Sequence, residues 1–277
     1  MLLGAFAALS LIIGAKVCIA KGAFAGLTWL WLLPVTTLGC LLVLVGLMFG
    51  FLMILCKRVD QSVPQEDDDR LYRTVTNLII ESVLPVLRIR VKKNGLEKMP
   101  TEGRFMLVCN HCSLFDPIGL LYCLPQHQLA FVSKKENSTL FVIGPMMHKL
   151  LCQLINREND REALKTILRC IQILKEDKAS VAVFPEGGIL SEDGKLHHFR
   201  PGVFKIAQKA NVPIVVCTLK NSLNVIPNLL KWEPSRVEMN VLTVIPAEEL
   251  KGVTTVEIAE RCYNLMAEDL GPDLIAE

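Results

Sequence analysis

Phe105-Met-Leu-Val-Cys109, followed directly by Asn110-His-Cys-Ser-Leu-Phe-Asp116-Pro117, is an apolar run that ends abruptly in a polar, titratable turn. A short, uninterrupted apolar run bounded by a turn signal reads as a strand buried on both faces. Asp116 and Pro117 then read as the start of a helix, with aspartate at the N-cap and proline at the first helical position. His111 therefore falls at the carboxyl end of a strand, where open α/β sheets place their sites. In one regular helix His111 and Asp116 would point about 140° apart, so a turn must intervene if they are to touch. In such a turn the carboxylate accepts the imidazole N–H and fixes the tautomer, while the other ring nitrogen takes a proton from a hydroxyl. The plainer reading leaves Asp116 as a cap and His111 as a loop residue.

The pattern repeats downstream. Ser180-Val-Ala-Val-Phe184-Pro185-Glu186-Gly187-Gly188 is again an apolar strand opening into a turn, now with a carboxylate and two glycines. Glycines let backbone N–H groups approach a phosphate or glycerol closely, and Glu186 can accept from a hydroxyl. Further β-rich runs lie at Leu129 to Val132, Ile214 to Thr218 and Val237 to Ile245. Helical patterns fit between and after the strands at Asp116 to Leu124, Thr139 to Leu150, Arg161 to Lys175, Gly202 to Ala210 and Thr255 to Glu268. Alternating elements with strands apolar on both faces predict a layered α/β fold with a largely parallel central sheet. Upstream, the acidic run Glu66 to Asp69 precedes a helical pattern and suits its N-terminus. Arg88, Arg90 and Lys92 alternate with Ile89 and Val91, which puts three cations on one face of a strand. That face either meets anionic headgroups or is simply solvated.

The first 56 residues differ from the rest, carrying only Lys16 and Lys21 as charged side chains. Leu2 to about Ala20 is one candidate span, and Pro34 is the expected break before a second, about Val35 to Leu55. The chain divides into residues 1–58, a membrane hairpin that either spans or re-enters, and residues 59–277, a globular domain. A cleaved signal peptide fits less well, because no basic segment precedes the first apolar run and a second follows at once. Lys57 and Arg58 follow the second span, which predicts a membrane protein with its globular domain on the cytoplasmic side. The ten cysteines are scattered through apolar segments, as suits a reducing compartment. Cys109 and Cys112 form one C-x-x-C without a second, so no metal site is expected. His197 and His198, being adjacent, cannot share a face and read as loop residues. A net charge of +2 without a basic tract gives no support to nucleic-acid binding.

With both turns in place, the chain from about Arg88 to Ile245 resembles the glycerolipid acyltransferases typified by 1-acylglycerol-3-phosphate acyltransferase. Its Asn-His-x4-Asp block is Asn110 to Asp116, and its Phe-Pro-Glu-Gly block is Phe184 to Gly187. Lys134 or Lys135 with Leu154-Ile-Asn-Arg157, Phe199-Arg-Pro-Gly202 and Val212 to Val215 stand for the remaining blocks. The resemblance implies that His111, oriented by Asp116, activates the acceptor hydroxyl. That hydroxyl attacks the thioester of an acyl-coenzyme A or acyl-carrier protein, without cofactor, metal or covalent intermediate. It implies substrate contacts from Asn110, Lys135, Arg157, Phe184, Pro185, Glu186, Gly187 and Gly188, a lysolipid acceptor and a lipid bilayer as partner. The chain departs from the family at Gly188-Ile189, where the pattern has Thr-Arg. Either Arg200, Lys195 or Lys205 replaces the lost cation, or the acceptor is another lysophospholipid or a lysoaminolipid. A non-catalytic lipid-binding relative and a thioester hydrolase are the readings from other classes.

Overall fold

The computed structural model describes residues 2–156, 159–190 and 193–276. Two long apolar helices come first, α1 (Leu2–Ala20) and α2 (Trp29–Lys57), then α3 (Arg70–Val86) and β1 (Ile89–Asn94). There follow β2 (Met106–Cys109), α4 (Asp116–Cys123), β3 (Leu129–Lys134), α5 (Ile143–Lys149), β4 (Gln153–Ile155) and α6 (Asp160–Lys175). The chain continues through β5 (Ser180–Val183), α7 (Lys205–Ala210), β6 (Ile214–Lys220), α8 (Val225–Leu230), β7 (Ser235–Ile245) and α9 (Thr255–Leu270).

The strands form one sheet in the order β1-β7-β6-β2-β5-β3-β4, parallel throughout except between β6 and β7. The expected largely parallel α/β architecture is thus present, with β1 and β7 running against the other five strands. Because side chains alternate across a strand, each central strand serves two cores. Met106, Val108, Val181, Val183 and Ile214 pack with α6, α7 and α9 on one face. Phe105, Leu107, Cys109, Ala182 and Val215 pack with α3 and α4 on the other. This double burial is why these strands read as unbroken apolar runs.

Several boundaries differ from expectation. The helix expected from Thr139 to Leu150 begins only at Ile143, as α5, and a 3₁₀ turn, Lys135–Thr139, precedes it. Gly144 meets that turn so closely that a Cβ there would lie 2.0 Å from the Ser138 carbonyl oxygen. The stretch Gly202 to Ala210 likewise opens as a 3₁₀ turn, Pro201–Phe204, before α7. Asp116 is the first residue of α4 rather than its N-cap, and its carboxylate turns back toward the preceding loop. Arg88 has φ 58° and precedes β1, so it does not continue the strand's cationic face.

Pro34 does not break the apolar segment; it lies inside α2. Placed in the second turn, it removes a single backbone donor. The chain reverses earlier, at Lys21 to Thr28, where Gly22 takes a left-handed conformation with φ 62°. Helices α1 and α2 pack through Ser10, Gly14 and Cys18, one small residue per turn. A Cβ on Gly14 would lie 2.6 Å from Thr37 Oγ1. The pair is anchored at both ends of α3: the Leu2 N–H donates to Ser82 Oγ (3.1 Å), and the Tyr72 hydroxyl donates to the Leu55 carbonyl (2.9 Å). The acidic run has two structural uses. Asp69 caps α3 by accepting from the Leu71 and Tyr72 N–H groups, and Asp68 pairs with Arg73, which also reaches the Leu129 carbonyl.

Close packing of small residues is the main attraction available between apolar helices. Gly14→Leu should therefore separate α1 from α2 and lower the melting temperature of the full chain in uncharged micelles, whereas Gly4→Leu, in open space, should not. Equal melting of the two variants would refute this packing.

Candidate active site

The site is assembled where β2, β5 and β6 end side by side. Asn110 follows β2 directly, and its amide continues the ladder: Oδ1 accepts from the Leu219 N–H (2.8 Å) and Nδ2 donates to the Leu219 carbonyl (3.0 Å). Both polar ends are occupied and the residue is buried, so Asn110 pins the loop to β6 in place of the substrate contact expected of it.

The next residues form the turn that the His–Asp spacing requires. Oδ2 of Asp116 accepts three N–H groups: the backbone donors of Cys112 (2.9 Å) and Ser113 (2.8 Å), and His111 Nδ1 (2.9 Å). Asp116 is fully buried, while the His111 side chain keeps 15% of its surface exposed. With Nδ1 donating to the carboxylate, Nε2 carries the free lone pair. The imidazole stacks on Phe184 with ring centroids 4.1 Å apart, so β5 supplies the surface against which the ring is oriented. His111 and Asp116 are therefore brought together, and Phe184 supports the histidine ring.

Glu186 takes a different place from the one expected. It is only 2% exposed; Oε1 accepts from the His111 backbone N–H (2.7 Å) and Oε2 from that of His197 (3.0 Å). Instead of facing a substrate hydroxyl, the carboxylate fastens the dyad loop to the Lys195 to Arg200 loop. Burial pushes its pKa up to about 7, against the two N–H donors, which lower it; the neighbouring Asp116 charge adds a smaller upward push. Pro185 is buried, and its carbonyl accepts from the Arg200 N–H (2.8 Å). Gly187 has φ 90°, and a Cβ there would lie 2.6 Å from Arg200 Nε. The Arg200 side chain thus lies over Gly187. Gly188, also at positive φ, is buried, and Ile189 is exposed.

Of the other expected residues, Lys134 ends β3 and Lys135 opens the following 3₁₀ turn, both exposed, at the same sheet edge but one strand beyond β5. Arg157 lies outside the described residues. Cys109 is buried, and the Cys112 thiol faces Ser222 Oγ at 3.2 Å. His197 and His198 lie in a loop, as expected, with His198 stacked on Tyr263. Sequence reading missed the backbone roles of Leu219 and His197. Nothing local in the sequence marks a main-chain partner, whether 109 positions away, as Leu219 is from Asn110, or 11, as His197 is from Glu186.

Residues 90–220 match the family model described as Acyltransferase. The 1-acyl-sn-glycerol-3-phosphate acyltransferase of Bacillus subtilis (strain 168) is 30% identical over 145 residues, covering 52% of this chain and 69% of that one. The corresponding Chlamydomonas reinhardtii protein is 29% identical over 184 residues, 65% of this chain and 53% of its own. A chloroplastic one from Brassica napus is 33% identical over 147 residues, 53% of this chain and 41% of its own. The chain thus spans about half the length of the algal and plant relatives. The crystal structure of the 1-acyl-sn-glycerophosphate acyltransferase PlsC from Thermotoga maritima shares the fold, with TM-score 0.58 and 22% identity over 78% of this chain and 86% of that one. The chain belongs to the acyltransferase family that includes the 1-acyl-sn-glycerol-3-phosphate acyltransferases.

The raised pKa of Glu186 has a consequence for stability. Its native pKa, about 7, lies above the ordinary 4.5, so its stabilising contribution is full below the ordinary value and is lost as pH rises through about 7. Glu186→Gln does not titrate. The stability of the native protein relative to this variant should fall between about pH 5 and about pH 8, by on the order of 3 kcal/mol. A pH-independent difference in denaturant midpoint would contradict the assignment.

Proposed function

We propose that the chain is an O-acyltransferase that moves a fatty acyl group from acyl-coenzyme A or acyl-carrier protein to 1-acylglycerol-3-phosphate, giving phosphatidate. The observation that carries this reading is the His111–Asp116 pair, held at a strand end with Nε2 available. His111 takes the proton of the acceptor hydroxyl as its oxygen attacks the thioester carbonyl. The tetrahedral adduct collapses with cleavage of the C–S bond, and the imidazolium returns the proton to the leaving thiolate. Asp116 holds the tautomer and stabilises the imidazolium that forms. Arg200, lying over Gly187, is the cation best placed to replace the arginine missing at position 189 and to meet the acceptor phosphate. A hydrogen bond to such a charged group contributes about 1.5–3 kcal/mol. The exposed Ile189 favours a second acceptor class, a lysophospholipid or lysoaminolipid whose headgroup makes no ion pair there.

Helices α1 and α2 are each long and apolar enough to cross a bilayer. In this reading they are a membrane hairpin that delivers residues 59–277 to lipid substrates, with Lys57 and Arg58 retaining the catalytic side in the cytoplasm.

Purified full-length protein given a panel of radiolabelled lysolipids with each donor tests the assignment. His111→Ala should reduce turnover by about 10²–10⁴, and Asp116→Asn by a similar factor, with unchanged far-ultraviolet circular dichroism. Wild-type turnover in folded His111→Ala would sink the mechanism. Release of free fatty acid without acceptor acylation would support a hydrolase, and no turnover on any acceptor a lipid-binding protein. Arg200→Gln should raise KM for phosphate-bearing acceptors about tenfold or more while leaving kcat nearly unchanged. An unchanged KM would remove Arg200 from phosphate binding.

A further inference from the structure

A second arrangement of charge lies at the β1 flank of the sheet and takes no part in the proposed transfer chemistry. Strands β1 and β7 are parallel and in register, with Arg90 opposite Arg236, Lys92 opposite Glu238 and Asn94 opposite Asn240. Residues two apart share a face, so these three rungs stack on one side of the sheet. Two of them are complementary. Lys92 Nζ lies 3.8 Å from Glu238 Oε1, and Asn94 Nδ2 donates to Asn240 Oδ1 at 2.7 Å. The last rung sets two guanidinium-bearing residues side by side, and like charges directly opposite each other destabilise a strand pair. Among the described residues no carboxylate forms an ion pair with Arg90, Arg236 or the neighbouring Arg88.

These three arginines, together with Tyr122, line a recess of about 600 Å³ at the start of β1 and β7. Arg88 holds a left-handed backbone and donates from Nη1 to the Trp232 carbonyl (3.0 Å). Beside it, Trp232 and Leu230 expose 63% and 86% of their surface. Because β7 runs against β6, the starts of β7 and β1 lie at the sheet edge that carries His111. Arg88 also lies six residues beyond Ser82, which receives the first residue of α1. Exposed tryptophan and leucine beside unpaired arginines, near the root of an apolar hairpin, match a water–lipid boundary.

We propose that this recess is a binding site for the phosphate of an anionic phospholipid headgroup, separate from the acceptor site. Guanidinium groups grip phosphate oxygens in pairs, and a phosphate between Arg90 and Arg236 turns the repulsive rung into an attractive one. The site does not depend on the acyltransferase reading, and its test does not use turnover.

The test compares the full chain in uncharged micelles with an Arg90→Gln/Arg236→Gln variant, by thermal melting against three titrants: dihexanoyl phosphatidylglycerol, dihexanoyl phosphatidylcholine and inorganic phosphate. The native protein should be stabilised selectively by the phosphatidylglycerol, and the double variant should need about thirtyfold more of it, from about a fivefold effect of each cation. Arg236→Gln alone should raise the melting temperature without lipid, because it removes the repulsion. Equal responses of native and variant proteins to phosphatidylglycerol would overturn the site. An equal effect of phosphatidylcholine, or of inorganic phosphate at the same concentration, would overturn its assignment to an anionic lipid. Destabilisation by Arg236→Gln alone would show the arginine pair to be held by something other than a missing anion.

Discussion

One carboxylate oxygen, Oδ2 of Asp116, organises the candidate site. Three N–H groups from His111, Cys112 and Ser113 converge on it from a span of three residues. That convergence forces a turn between positions that a helix would have pointed apart, and a turn with this many donors on one acceptor has little freedom left. An ionised acceptor makes each such bond roughly twice as strong as a neutral one. Asp116 is buried under the start of α4, so removing the carboxylate would leave two backbone donors without partners as well as freeing the imidazole. The same interaction therefore fixes the loop, the helix start and the tautomer of His111.

Two further polar clamps prevent this turn from drifting. The Asn110 amide extends β2 by one side-chain rung onto β6, and Glu186 binds the His111 backbone to the loop that leads to Arg200. With Phe184 under the ring, the histidine is held by the ends of β2, β5 and β6 at once. Each clamp ends on main-chain atoms. A change of side chain at Leu219 or His197 therefore leaves it intact, whereas a change at Asn110 or Glu186 does not.

The fold was legible in the sequence because strands buried on both faces leave an uninterrupted apolar signature, as at Phe105 to Cys109 and Ser180 to Phe184. The dyad was legible because its two members lie within one short loop. Less was readable where tertiary packing decides. Pro34 carried a strong local signal, yet the reversal came at Gly22, since a proline early in a helix loses one donor while a left-handed glycine redirects the chain. Thr139 to Leu150 has helical periodicity, but its helix starts only at Ile143, where Gly144 packs closely against the Ser138 carbonyl of the preceding turn. Glu186 looked like a substrate ligand because its residue type and glycine neighbours suit one. Its real partners are amides contributed by two other loops, which no spacing within the motif encodes. Arg88, Arg90 and Lys92 suggested one cationic face, but strand register gives Lys92 a carboxylate and gives Arg90 another arginine.

The two buried carboxylates are linked through His111, Asp116 by its ring and Glu186 by its backbone. Asp116 contributes to the upward shift of Glu186, so when both are ionised, two negative charges flank one residue in a poorly solvated region. In the proposed transfer the imidazole becomes positive for part of the cycle. That charge is paired with Asp116 Oδ2 through Nδ1, and so offsets the aspartate charge that repels Glu186. Glu186, poised near neutrality at about 7, can take up or release a proton at little cost. Glu186, which holds the His111 backbone, is thereby coupled to the same charge that the Asp116 oxygen holds in place.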